Sequence, residues 1–318
     1  MILNLVLFLL GIALLWGSSE LVIRKIGPIA RFLRVNDLVV TVLGVSVLSS
    51  LPELTISAFA IAAGNSELSV GNVIGSNFVT LTFVTALCAF IRPIDIQEQI
   101  RERESSWMIL SAALVLILSI DGKLSRFDGL LLILSYVPYI ISVIRKAVAE
   151  RPEPSGKPEG RIWLHVLLAL VAIAGVILGA KLALDNGEKL GLALGIPPLA
   201  LGVILFAFGT SLPELAISLS ATFKKKADVT IGEVYASNIF TQLVVMGVCA
   251  LIRPVEISSG ILSFAMPFLV LAGVLIQIFI TSRKTLNRWE AAVLMAMYGV
   301  FAATSFFKLP SLDALIGW

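Results

Sequence analysis

The chain has 318 residues, of which 58% are hydrophobic and 14% charged, with a formal net charge of +3 and a mean hydropathy of +0.99. Soluble domains carry about 25% charged residues, so a water-soluble enzyme of this size is excluded; the near-neutral balance, with no basic stripe interleaved with aromatics, excludes a nucleic-acid partner. One histidine and two cysteines leave no material for a zinc site, a haem site or a disulfide framework, and no resident cofactor is expected.

In chain order, apolar blocks predict ten membrane-spanning helices, near residues 3–22, 36–63, 68–91, 105–120, 127–144, 162–180, 196–222, 229–252, 260–280 and 290–307. The fourth is the shortest. The first is apolar from its start and reads as an ordinary span, since a cleaved signal peptide would need a basic region ahead of a shorter apolar one. Between the fifth and sixth, ERPEPSGKPEG (Glu150–Gly160) combines Pro, Gly and charge, the composition of a flexible linker, and it is too short for a separate regulatory domain. With loops assigned to alternate sides, 18 of the 24 basic residues fall on one side and 6 on the other. The positive-inside rule puts the richer set in the cytoplasm. The expectation is a multi-pass protein of the cell membrane with both termini outside and the linker cytoplasmic.

An internal repeat organises the chain. LPEL at Leu51–Leu54 recurs at Leu212–Leu215, an offset of 161, and the same offset maps Gly71 onto Gly232, Ser76-Asn77 onto Ser237-Asn238, Thr80 onto Thr241, Cys88 onto Cys249, and Ile91-Arg92-Pro93 onto Ile252-Arg253-Pro254. Two halves of five spans each must lie in the membrane with opposite topology, the inverted-repeat plan of secondary transporters. The predicted organisation is a first five-helix repeat at 1–149 with its motif at 44–80, a linker at 150–160, and a second repeat at 161–318 with its motif at 205–241.

Glu53 follows Pro52 inside an apolar run, and Glu214 follows Pro213 in the equivalent place. A carboxylate in mid-membrane costs a few kcal/mol or more and is a functional candidate by default. Proline removes a backbone donor and breaks the helix, freeing carbonyl oxygens beside the acid. Ser49 and Ser50 lie four and three residues before Glu53, and Thr210 and Ser211 likewise before Glu214, a spacing that puts the hydroxyls on the carboxylate's face of a helix. Two opposed half-sites of carboxylate, hydroxyl and carbonyl oxygen, without nitrogen or sulfur, suit a hard cation such as Ca2+. Na+ ions or protons can compete for the same charge, which is the basis of exchange.

These motifs resemble those of the sodium/calcium exchangers of the calcium:cation antiporter superfamily, in the prokaryotic form without a large regulatory loop. The first repeat reads LSSLPE (Leu48–Glu53) and GNVIGSN (Gly71–Asn77), the second GTSLPE (Gly209–Glu214) and GEVYASN (Gly232–Asn238). The resemblance implies an all-α integral membrane fold of ten transmembrane helices in two inverted five-helix repeats, with helices broken at a midplane ion site. It also implies that Glu53 with Ser49, and Glu214 with Thr210, coordinate Ca2+. Flanking Na+ sites would use Ser46, Ser50, Ser76, Ala207, Ser211 and Ser237. Four residues past the second-motif serine, relatives of archaeal type often carry Asn in one repeat and Asp in the other; here both are threonine, Thr80 and Thr241. Leu48 replaces the glycine that Gly209 retains, and Glu233 stands where the first repeat has Asn72.

The function expected is a secondary active antiporter, not an enzyme, that exports Ca2+ in exchange for Na+ by alternating access, with the lipid bilayer as its surroundings and no oligomer required. Ca2+/H+ antiport on the same fold and a cation channel are the alternatives. Cys88 and Cys249 read as buried thiols that pack like small hydrophobes, His165 as an interfacial residue, and Glu20 and Lys181 as interfacial groups on opposite faces instead of an ion pair.

Overall fold

A computed structural model describes residues 1–32, 45–95, 103–149, 162–225, 227–283 and 285–307. The start of the second predicted span and the 150–160 linker lie outside them. The fold is all-α, apart from four two-residue strands.

The first half contains α1 (Ile2–Phe32), a short α2 (Ser46–Ser49), α3 (Leu51–Ala62), α4 (Ser66–Phe78), a π-helical stretch at Val79–Val84, α5 (Thr85–Ile91), α6 (Ser105–Leu118) and α7 (Arg126–Ala149). The second contains α8 (Ile162–Leu194), α9 (Pro198–Ala200), a π-helical stretch at Leu201–Phe206, α10 (Ala207–Thr210) and α11 (Leu212–Phe223). It continues with α12 (Ala227–Phe240), a π-helical stretch at Thr241–Val245, α13 (Met246–Ile252), another at Ile261–Ala265, α14 (Met266–Arg283) and α15 (Arg288–Phe307). Among the described residues, six helices are long and apolar enough to cross a bilayer, and seven if the bent pair Pro198–Thr210 and Leu212–Phe223 is one span. Three of the ten apolar blocks of the sequence are not among them: the second lies partly outside the described residues, α6 in the fourth has only 14 residues, and α15 in the tenth is not one of these six.

The 161-residue offset reappears in the elements. Ser50 and Ser211 interrupt equivalent helices, and β1 (Ile94–Asp95) maps onto β3 (Val255–Glu256). β1 pairs antiparallel with β4 (Thr285–Leu286), and β2 (Lys123–Leu124) pairs antiparallel with β3, so each small ladder ties one half to the other. Helix packing follows the same exchange of halves, α5 against α15 and α13 against α7.

Leu9, Trp16, Leu110, Leu134, Leu170, Leu178 and Ile278 are exposed, whereas Ser46, Ser49, Ser50, Glu53, Asn72, Asn77, Glu214, Glu233, Asn238 and Gln242 are buried. Apolar side chains outward with polar ones inward is the distribution a hydrocarbon solvent selects. α1 and α8 cross in close contact through small residues: a Cβ on Gly179 would lie 2.6 Å from the Leu15 backbone nitrogen, and one on Gly11 would lie 2.5 Å from that of Ala183. Backbone-to-backbone approach of this kind replaces the hydrophobic effect as the source of helix association in lipid.

Candidate functional site

The site begins with two helix breaks. Pro52 and Pro213 occupy the first turns of α3 and α11, where the missing N–H removes a bond to the carbonyl four residues earlier. The Leu48 carbonyl freed in this way accepts a hydrogen bond from the Ser19 hydroxyl of α1 at 3.2 Å. In the second half the bend at the break is 46°. Glu53 and Glu214 then fall in the first turns of α3 and α11, where the N-terminal end of a helix favours a carboxylate.

Both carboxylates are buried, and the hydroxyls reach them from the opposite half. Ser50 donates to Glu214 Oε1 at 3.2 Å, and Ser211 donates to Glu53 Oε1 at 3.3 Å. The structure thus brings together the two acids that the sequence singled out, each linked to the serine three residues ahead of the other. Their second oxygens, Glu53 Oε2 and Glu214 Oε2, are buried and have no hydrogen-bond partner among the described residues. Oxygens left in this state accept a cation or a proton.

The helix breaks beside Pro52, as its proline implies, and the hydroxyls just ahead of the break bond carboxylates other than Glu53. The helix is interrupted at Ser50 (φ −85°, ψ 9°), and the Ser49 hydroxyl donates to Glu233 Oε1 at 2.8 Å. Ser46 donates to Glu233 Oε2 at 2.7 Å. Thr210 donates to Asn72 Oδ1 at 3.4 Å and to the Ala207 carbonyl at 3.3 Å. The Ser46 carbonyl accepts from Ser49 and Ser50 at 3.1 and 3.0 Å.

Asn72 is seated because α4 lies close against the stretch at 201–207: a Cβ on Gly75 would sit 2.7 Å from that of Ala207. Its Nδ2 donates to the Ser57 hydroxyl at 2.9 Å and to the Glu53 carbonyl at 3.3 Å. Further along α4 and α12, Asn238 Nδ2 donates to Thr80 Oγ1 at 2.7 Å, and Thr241 Oγ1 donates to Asn77 Oδ1 at 3.0 Å, a second crosswise exchange. Gln242 adds a donor to Asn77 Oδ1 at 3.2 Å, and Ser111 donates to Gln242 Oε1. Ser76 and Ser237 donate to the Val73 and Val234 carbonyls of their own helices at 3.0 and 3.3 Å.

Asn72, Asn77, Glu233, Asn238 and Gln242 are polar residues of this buried network that sequence reasoning left out of the site. The repeat match of Ser76-Asn77 with Ser237-Asn238 was a usable signal for two of them; Gln242 has none, since its repeat equivalent is Leu81. Among the described residues no group of three or more His, Cys, Asp or Glu is arranged to hold a metal ion, so a bound ion would draw most of its ligands from hydroxyls, carboxamides and carbonyls. Cys88 and Cys249 are buried and unbridged, and Glu20 pairs with Arg24 at 2.8 Å on its own helix.

The profile of the family described as sodium/calcium exchanger protein matches residues 3–145 and 164–307. The sodium/calcium exchanger MaX1 of Methanosarcina acetivorans is 25% identical over 345 residues, covering 96% of this chain and 99% of that protein. A Ca(2+)/H(+) antiporter of Synechocystis is 27% identical over 50% of this chain and 44% of its own. Among solved structures, the sodium-calcium exchanger NCX_Mj soaked with Na+ and Ca2+ superposes with a TM-score of 0.70 at 29% identity, covering 96% of this chain and 99% of that one. Two matched segments spanning nearly the whole length, apolar helices and a buried polar centre lead to one conclusion: the chain is a multi-pass membrane protein that belongs to the sodium/calcium exchanger family.

Proposed function

We propose that the protein is a secondary active antiporter that exports Ca2+ in exchange for Na+. The observation that carries this reading is the pair Glu53 and Glu214, buried, bridged crosswise by Ser211 and Ser50, and each holding one unpartnered oxygen. Two carboxylates neutralise one divalent ion, and burial without a counter-charge costs several kcal/mol per ionised group. Ser49, Ser50, Thr210 and Ser211 supply hydroxyls to the transported ions, with Ser46, Ser76, Ala207, Ser237, Thr80 and Thr241 around them. The names of the MaX1 and NCX_Mj relatives support Na+ as the counter-ion.

The ten-helix arrangement in two inverted repeats, at 1–149 and 161–318, belongs to the same proposal. It is supported by the 161-residue recurrence of the helix breaks and strands. Charge bias in the loops supports outside termini and a cytoplasmic linker. In this arrangement the shared site opens alternately to either face, and the cycle requires no resident cofactor.

A second reading is Ca2+/H+ antiport on the same fold. Thr80 and Thr241 offer oxygen without charge, and a relative named for that exchange covers half of this chain. Purified protein in liposomes distinguishes the two. Ca2+ uptake driven by an outward Na+ gradient at equal pH is expected; uptake driven only by a pH gradient without Na+ would replace Na+ by H+, and uptake that needs neither gradient would reduce the protein to a channel.

A further inference from the structure

The two halves correspond in their breaks and strands, but α1 and α8 are fastened to the rest of the molecule unequally. These helices pack on one another through Gly11 and Gly179 and stand at the edge of the fold. Of their apolar stretches 28% and 17% is buried, against 78% in the spans that contain α4 and α12. The interior is held together by the two ladders that join the halves. Elements at the edge with little buried surface are those that move at low cost.

Hydrogen bonds at Ser19 and Glu188 tie this pair to the interior. The fully buried Ser19 hydroxyl of α1 donates to the Leu48 carbonyl at 3.2 Å, and Asn65 Nδ2 donates to Glu188 Oε1 of α8 at 3.0 Å. Asn65 is the N-cap of α4. Its Oδ1 accepts from the Leu68 backbone N–H at 3.1 Å, so the carboxamide is already positioned when it meets Glu188. Asn65, Glu188, Gly122 and Glu256 line one open cavity of about 820 Å3, so this bond lies at a mouth of the molecule. Both side chains are half-buried there, and the bond can open without stranding either group away from water.

Neither bond has a counterpart under the 161-residue offset. Ser19 corresponds to Ala180 and Leu48 to Gly209, and Asn65 corresponds to Lys226 and Glu188 to Gly27. Ala180 has no hydroxyl, and a lysine and a glycine cannot reproduce a carboxamide–carboxylate bond. In inverted halves, equivalent positions lie toward opposite faces of the membrane. The mouth beside Asn65 is therefore fastened, and the equivalent place at the other face lacks that fastening. A bond made at one face only separates in energy two access states that identical halves would leave level.

We propose that the Asn65–Glu188 hydrogen bond is a latch that holds the end of α8 against α4 at this mouth, that Ser19 adds a second hold on α1, and that together they set which access state predominates at rest. This inference rests on the alternating-access reading, and its readout is a distance, independent of ion flux. Spin labels are placed on Leu192→Cys, exposed one turn beyond Glu188 on α8, and on Lys123→Cys, exposed in β2 next to Gly122 of the same cavity. Double electron–electron resonance is measured on the purified full-length protein, and the chain without the two introduced cysteines is the labelling blank, since Cys88 and Cys249 are buried. Glu188→Ala, which leaves the Asn65 cap of α4 intact, and Ser19→Ala are each expected to raise the share of a longer distance by about two- to tenfold, the effect of one ordinary hydrogen bond, and the two together to raise it further. Glu188→Gln keeps an acceptor oxygen for Asn65, and Ser19→Thr keeps the hydroxyl; both are expected to stay at the level of the unsubstituted background. Distances unchanged in Glu188→Ala and Ser19→Ala, or moved equally by the conservative variants, overturn the latch. Na+-driven Ca2+ uptake, measured separately, scores the parent reading: coupled uptake beside unchanged distances overturns the latch alone, and uptake that needs no gradient overturns alternating access whatever the distances.

Discussion

At the scale of single residues, the chemistry turns on oxygens with no alternative partner. Glu53 and Glu214 each accept one hydroxyl from the far half and leave one oxygen open, so neutralising either carboxylate removes charge that no neighbour replaces. Glu53→Gln and Glu214→Gln are each expected to bring Ca2+ uptake in liposomes down to background; near-normal flux in either would contradict the assignment. Ser50 and Ser211 act on the acid of the other repeat, and a hydrogen bond to a charged group contributes about 1.5–3 kcal/mol. Ser50→Ala and Ser211→Ala should therefore each weaken apparent Ca2+ affinity by about tenfold or more. In a double-mutant cycle, Ser50 is expected to couple with Glu214 more strongly than with Glu53. The opposite pattern would restore the same-helix pairing that spacing suggested.

At the scale of elements, the breaks at Ser50 and Ser211 do two things. They end one helical segment beside the start of the next, so that carboxylates sit in first turns, and they turn the preceding hydroxyls away from the acid of their own strand of sequence. Continuous helices would have kept Ser49 over Glu53. The long pair α1 and α8 depends on absent side chains. Gly179 has backbone atoms of Leu15 and Gly11 within 3 Å of where its Cβ would be, and backbone cannot rotate away as a side chain can. Gly179→Leu is expected to force the two helices apart, at about 1–3 kcal/mol or more by analogy with overpacked cores, and to lower the thermal midpoint of the detergent-solubilised protein. Gly299→Leu, where a Cβ meets nothing within 4 Å, serves as the control and should leave that midpoint unchanged.

At the scale of the whole molecule, the halves exchange contacts through crossed pairs: Ser50 with Glu214 and Ser211 with Glu53, Asn238 with Thr80 and Thr241 with Asn77, β1 with β4 and β2 with β3. A centre assembled in this way contains groups from both repeats at every level, so a shift of one half against the other alters all ligands together. Transport is accordingly expected to be coupled: collapsing the Na+ gradient in loaded liposomes should stop Ca2+ uptake within the same experiment, whereas persistent Ca2+ entry would indicate a pore. The repeats depart from one another at Glu233 against Asn72 and at Gln242 against Leu81.

Much of this was legible before any coordinates. The long apolar runs declared a membrane protein, and the two Pro-Glu pairs at matching positions pointed to two acids that the structure shows buried and bonded across the halves, a carboxylate among aliphatic residues being conspicuous in sequence. The repeat offset foretold which elements would correspond. The hydrogen-bond partners of Ser46, Ser49, Ser50, Thr210, Ser211 and Glu233 were not legible, because spacing says which hydroxyls lie near each Pro-Glu pair and not which carboxylate each one bonds. Burial, helix breaks and repeats are written in neighbouring residues, whose periodicity and backbone chemistry act locally. Which hydroxyl meets which carboxylate across 158 to 187 residues of chain is decided by how two halves pack, and only the tertiary structure carries that relation.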